Sequence, residues 1–109
     1  MLLKKNRVDK RDIDLIFKKG NFISLPSFTF KFILNNNNSI KPRVSFIVSK
    51  KIVRLAVRRN SLRRRGYSVL KKYINQFPLG ILGVFIFKKP QENILIIENE
   101  IKDTLNKIN

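Results

Sequence analysis

The stretch FTFKFIL, residues 28–34, alternates without a break: Phe28, Phe30, Phe32 and Leu34 fall on one side of an extended chain, and Thr29, Lys31 and Ile33 on the other. A period of two fits a β-strand, so the chain must build a sheet around one strongly aromatic strand face. RVSFIV, residues 43–48, is a second strand with Val44, Phe46 and Val48 on one side. The polar NNNNSIKP joins the two, and a hairpin between them is expected. GILGVFIF, residues 80–87, is apolar almost throughout and reads as a third, buried strand.

Three helices surround these strands. Asp9 can cap a helix over 10–19, with Asp12 three residues on and Val8 and Ile13 at the two positions of a hydrophobic staple. Ile13, Ile16 and Phe17 give this helix an apolar stripe, and Lys18 and Lys19 before Gly20 end it. From Leu55 to Tyr73 the period becomes helical, with Leu55, Leu62, Gly66, Val69, Leu70 and Tyr73 in one stripe. Gly66 costs such a helix about 1 kcal/mol relative to Ala, so its position in the stripe points to close approach to the sheet. Strand, helix and strand then form a crossover unit. Ile94, Ile97, Ile101, Leu105 and Ile108 mark a last amphipathic helix whose start the sequence leaves open. At 109 residues, 43% hydrophobic and with nine Phe, the chain suits one α/β (α+β) domain spanning 1–109, in the order α-β-β-α-β-α.

Charge narrows the function. Lys and Arg total 24 against seven acids, a formal charge of +17, and residues 15–91 contain no acid at all. Such a load destabilises a compact chain unless a polyanion relieves it, which means nucleic acid or an anionic membrane surface. The longest apolar run, Leu79–Phe87, has nine residues, well below the roughly 18–20 that span a bilayer. The N-terminus has no signal-peptide pattern, so a cytoplasmic chain is expected. With no His and no Cys, the commonest general base, thiol nucleophile and metal ligands are missing. No catalytic residue and no metal site is assigned, and the chain alone is expected to cleave nothing.

Between residues 49 and 73 lie ten Lys and Arg and no acid. With the apolar stripe against the sheet, Asn60, Arg64 and Lys71 fall on one exposed flank, Arg58, Arg65 and Lys72 on the other, and Arg59 and Arg63 border the stripe. A merely solvated helix mixes both signs. Arg also outnumbers Lys within the helix, which suits forked contacts to phosphates and bases. A ribosomal or other structured-RNA protein would fit this charge. A DNA-binding module fits less well, because no helix-turn-helix pairing is visible.

RVSFIVSKKIVRLAVRRNSLRRR resembles the signature of the protein subunit of bacterial ribonuclease P, in which a strand ending in Ser-Lys-Lys leads into a helix carrying Ala-Val-x-Arg-Asn-Arg-x-Lys-Arg. Ser49, Lys50, Lys51, Ala56, Val57, Arg59, Asn60, Arg63 and Arg64 match by residue or by charge. NRVDKRDIDLIFKKG is similar to the family's first helix and FKKP to the end of its last strand. The departures are Ser61 in place of the second Arg, one extra residue between Lys51 and Asn60, and Val53-Arg54 or Arg54-Leu55 in place of Gly-Asn. Arg58 or Arg65 could supply the missing cation.

The resemblance implies a mixed sheet with a left-handed strand-helix-strand crossover. It implies a cofactor role beside a catalytic RNA that, with Mg²⁺ held mainly by RNA, removes the 5′ leader of precursor tRNA, the protein being a monomer within the ribonucleoprotein. It implies two surfaces. Lys50, Lys51, Arg58, Arg59, Asn60, Arg63, Arg64 and Arg65 would meet ribonuclease P RNA. A cleft between the first helix and the sheet would hold the single-stranded leader, with Phe17, Phe28, Phe30, Phe32 and Lys31 as candidates. For the long strand two arrangements stay open: the Phe face is core and Lys31 is in the cleft, or the Phe face lines the cleft itself.

Overall fold

The computed structural model describes residues 7–34 and 41–108; the Asn-rich connection across 35–40 lies outside the described residues. Along the chain come α1 (Lys10–Lys19), β1 (Asn21–Ser24), β2 (Phe28–Leu34), β3 (Arg43–Ile47), α2 (Ala56–Tyr73), a short 3₁₀ turn (Ile74–Gln76), β4 (Ile81–Phe87) and α3 (Ile94–Ile108). The chain folds as one small α+β domain, and β1 is an element that the expected order lacks.

The four strands lie in the order β1-β2-β4-β3, with β2 antiparallel to β1 and β4, and β3 parallel to β4. The hairpin expected between β2 and β3 does not form, because β4 lies between them. An apolar strand such as ILGVFIF needs cover on both faces and so takes an inner place. β2 finds its hairpin partner in β1, across a turn closed by Leu25 N–H donating to the Phe28 carbonyl at 2.8 Å. The β3-α2-β4 crossover is present as read.

Cross-strand partners share a face of the sheet. Phe28 and Phe30 stand opposite Phe87 and Phe85, and Val44 and Phe46 opposite Gly83 and Phe85. On this face Phe28, Phe30, Phe46, Phe85 and Phe87 pack with ring centroids 4.4–5.9 Å apart, beneath Leu62, Val69 and Leu70 of α2 and Ile97, Ile101 and Leu105 of α3. Gly66 fits here as expected: a Cβ on it would stand 2.8 Å from the Phe46 ring. Gly83 likewise leaves space for Phe30, whose ring would lie 2.5 Å from an added Cβ.

The opposite face presents Thr29, Lys31, Ile33, Leu82, Val84 and Ile86, and α1 covers part of it. Ile16 is fully buried with Val8, Leu82 and Val84, and the staple residue Ile13 packs beside them. Asp12 N–H donates to Asp9 Oδ1 at 3.1 Å, the cap that the spacing predicts, and this bond holds the Asp9 carboxyl below its ordinary pKa.

α2 begins without a side-chain cap. Leu55 occupies the cap position and is 70% exposed rather than part of the apolar stripe, because the helical wheel does not extend to a residue with extended backbone. Arg59 compensates by reaching back to the Val53 and Arg54 carbonyls at 3.1 and 2.6 Å. α3 begins at Asn93, whose Oδ1 accepts from Leu95 and Ile96 N–H at 2.9 and 3.4 Å. One acid is buried: Glu100, 4% exposed, accepts from Ser27 N–H at 2.8 Å and ties α3 to the β1–β2 turn.

Two stability measurements check this packing. Phe30→Ala is expected to lower the urea-unfolding free energy by about 3–5 kcal/mol; a loss below about 1 kcal/mol would place Phe30 outside the core. Arg59→Met should cost about 1 kcal/mol through its two carbonyl bonds, whereas Arg64→Met, which makes no hydrogen bond to a described residue, should stay within about 0.5 kcal/mol.

Candidate nucleic-acid interface

The basic segment starts in the connection from β3 to α2. Ile52 and Val53 N–H both donate to the Ser49 carbonyl at 3.1 Å, which folds Lys50 and Lys51 outward as exposed residues. They sit just before an α2 N-terminus with no acid in its first turn, so its dipole adds to their positive potential.

Along α2 the two cationic flanks differ. Arg58 Nη2 meets Glu92 Oε1 at 3.4 Å, and Arg65 Nη1 donates to the Glu92 carbonyl at 3.4 Å. This flank is partly compensated by the segment preceding α3. The other flank carries Asn60, Arg63 and Arg64, where Arg63 donates to Asn60 Oδ1 and no acid is in ion-pair reach among the described residues. Arg59 borders the stripe, and its guanidinium is occupied by backbone carbonyls. Ser61 is exposed, and the two cations nearest in role, Arg58 and Arg65, both lie on the Glu92 side.

Two residues on the free flank went unread in the sequence. Arg7 places its guanidinium over the Tyr67 ring, 4.4 Å from the centroid, and with Asn60, Arg63 and Arg64 these two line a pocket of about 240 Å³. The signal for Arg7 was its place directly before Val8, which the staple fixes against the sheet. For Tyr67 it was its place next to Gly66, at the closest approach of α2 to Phe46.

The leader candidates divide by face. Phe28 and Phe30 are fully buried in the ring cluster, and Phe32 is half-buried and stacked on Phe30 at 5.4 Å. Phe28 and Phe30 offer no ring face to a nucleotide, because α2 and α3 cover them, while Phe32 stays partly exposed with one face on Phe30. Of the two arrangements left open, the Phe face is core. On the opposite face Lys31 is half-buried, its Nζ 4.9 Å over the ring of Phe17, which is 45% exposed. Phe22 on the edge strand β1 stands directly opposite Lys31 and is 67% exposed; with no alternating pattern in NFIS, nothing in the sequence marked it. The exposed surface therefore has an aromatic-cation-aromatic run across α1, β2 and β1.

Among the described residues no three acids, His or Cys come together as metal ligands, and no helix is long and apolar enough to cross a membrane.

The fold has close counterparts among solved structures. The ribonuclease P protein of Thermotoga maritima superposes with a TM-score of 0.80 at 24% identity, over 94% of this chain and 97% of that one. A Staphylococcus aureus ribonuclease P protein superposes with a TM-score of 0.73 at 28% identity, over 98% of this chain and 92% of that one. No curated protein sequence matches. The ribonuclease P family matches residues 2–109, the basic strand-to-helix segment included, and the chain belongs to the ribonuclease P protein family.

Proposed function

We propose that this chain, the protein subunit of a ribonucleoprotein endonuclease that matures tRNA 5′ ends, divides its two RNA contacts between opposite sides of one sheet. The catalytic RNA lies along Lys50, Lys51 and the free flank of α2, with Asn60, Arg63 and Arg64 at its centre and Arg58 and Arg65 at its margin. The leader of precursor tRNA runs over the α1 side, across Phe17, Lys31 and Phe22. The observation that carries this reading is the segregation itself: an uncompensated donor-rich helix flank on one side, exposed rings around a cation on the other.

Each surface suits its partner. Arg forks match phosphate geometry on a folded RNA, whereas a single strand is held by aromatic platforms in a positive groove. Lys31 already covers the Phe17 ring, so a stacked base would displace its Nζ toward the adjacent phosphate. Mg²⁺ supplies metal-assisted hydrolysis from sites on the RNA, and the protein binds and orients. One copy works per ribonucleoprotein, in the cytoplasm.

Binding to precursor and mature tRNA by the assembled particle tests the leader surface. Phe17→Ala and Lys31→Ala should each weaken precursor binding by on the order of 5- to 100-fold, the range of about 1–3 kcal/mol for a lost stacking platform, and leave mature tRNA binding nearly unchanged. If neither variant alters the difference between the two substrates, the leader lies elsewhere. On the other surface, affinity for the catalytic RNA should fall steeply with salt, as expected for on the order of 6–10 phosphate contacts, and Arg64→Ala should reduce the log-log slope by about one. A flat salt dependence would contradict attachment through charge.

A further inference from the structure

The N-terminal segment passes the β3 edge before entering α1, and there it closes a pocket against α2. Val8 N–H donates to Ser45 Oγ at 2.8 Å, which fixes the backbone next to Arg7. Tyr67 is fixed as well: its hydroxyl accepts from Phe46 N–H at 3.1 Å and its ring meets Phe46 edge-on at 5.3 Å. Arg7 lies over the Tyr67 ring, and Asn60, Arg63 and Arg64 complete the lining of about 240 Å³.

The hydrogen-bonding character of this lining is one-sided. Arg has five donors and no acceptor, so the contact of Arg63 with Asn60 Oδ1 turns the amide carbonyl toward Arg63 and leaves the Asn60 NH₂ to donate. The Tyr67 hydroxyl, already accepting, keeps its own proton. Arg7 Nε is buried without an acceptor among the described residues, and no acid lines the pocket. A lining of donors with three guanidinium charges selects a ligand that only accepts and is anionic. Phosphate has both properties, whereas a base edge, even the acceptor-only O6/N7 edge of guanine, carries no net charge. The Tyr67 ring has Arg7 over one face and is only 7% exposed, so stacking of a base against it is not offered either.

We propose that this pocket seats one backbone phosphate of the catalytic RNA, and that Arg7, outside the basic helix, is the residue that closes it. The proposal rests on the reading of the chain as a ribonuclease P subunit.

The test is affinity for a bacterial ribonuclease P RNA across a range of salt, using the full chain and the variants Arg7→Met and Arg11→Met. Arg7→Met keeps an aliphatic stem over Tyr67 and removes the donors; Arg11, exposed on α1, controls for loss of one charge. Arg7→Met should bind about 10-fold more weakly with a salt slope reduced by about one, while Arg11→Met changes affinity less than about 2-fold. A readout on the unaltered chain guards against misfolding of the variant: titrating inorganic phosphate should shift the Arg7 Nε–H and Asn60 amide resonances saturably. Equal affinity and slope for Arg7→Met and the unaltered chain would overturn the proposal and leave the subunit reading standing, as would phosphate leaving the Arg7 Nε–H unmoved. Failure of the unaltered chain to bind the RNA would overturn that reading and the proposal with it. An Arg7→Met defect confined to discrimination between precursor and mature tRNA would put the phosphate on the substrate and refute the assignment to the catalytic RNA.

Discussion

No acid occurs between Leu15 and Gln91, and the rest of the structure follows from that constraint. Cations in this span cannot be neutralised by their neighbours, so they must reach the surface. Among the described residues a single ion pair forms, Arg58 with Glu92, each about half exposed at 52%, and such a pair contributes at most about 1 kcal/mol. Cohesion must come from apolar burial instead. Five Phe rings on one sheet face, closed by α2 and α3, supply it, and Gly66 lets the most charged helix sit directly on them. The repulsion that remains is relieved by a polyanion, which makes RNA binding a counterpart of the fold.

The sheet then acts as a partition. Its aromatic face is consumed by the core, and this commits α2 to present its cations outward on the far side. Its other face is only partly roofed by α1, so Lys31 and the rings of Phe17 and Phe22 stay reachable. On the proposed assignment the sheet separates the catalytic RNA from the leader, which suits a subunit that must grip one RNA while positioning another. Within α2 the cations are not equivalent. Arg59 holds the helix entrance and the Glu92 side is partly neutralised, which leaves Asn60, Arg63 and Arg64 with Arg7 as the donors most free to bind.

Much of this was legible in the sequence where local chemistry decides. The Asp9 cap, the Val8–Ile13 staple and the basic end of α1 fixed that helix to its observed bounds, and Gly66 announced its contact. Pairing was less legible. Strands adjacent in sequence usually pair, which favoured a β2–β3 hairpin. The uninterrupted apolar character of ILGVFIF, which demands cover on both faces, outweighed that tendency and placed β4 between them. β1 is four residues long and carries no alternation, so its existence depends on the open edge of β2. The Phe stripe alone could not say which face was core; the covering helices decided it, and Phe28 and Phe30 left the list of leader contacts. Arg7 and Tyr67 meet only through tertiary packing across the β3 edge.

The division of labour between protein and RNA is tested most directly by reconstitution. The purified chain is mixed with a bacterial ribonuclease P RNA and precursor tRNA at a Mg²⁺ concentration too low for the RNA alone, and release of the 5′ leader is followed. Leader removal by the mixture and by neither component alone is the expected result. Cleavage by the RNA-free chain after removal of contaminating nuclease, or failure of the chain to restore cleavage by the RNA, would contradict it.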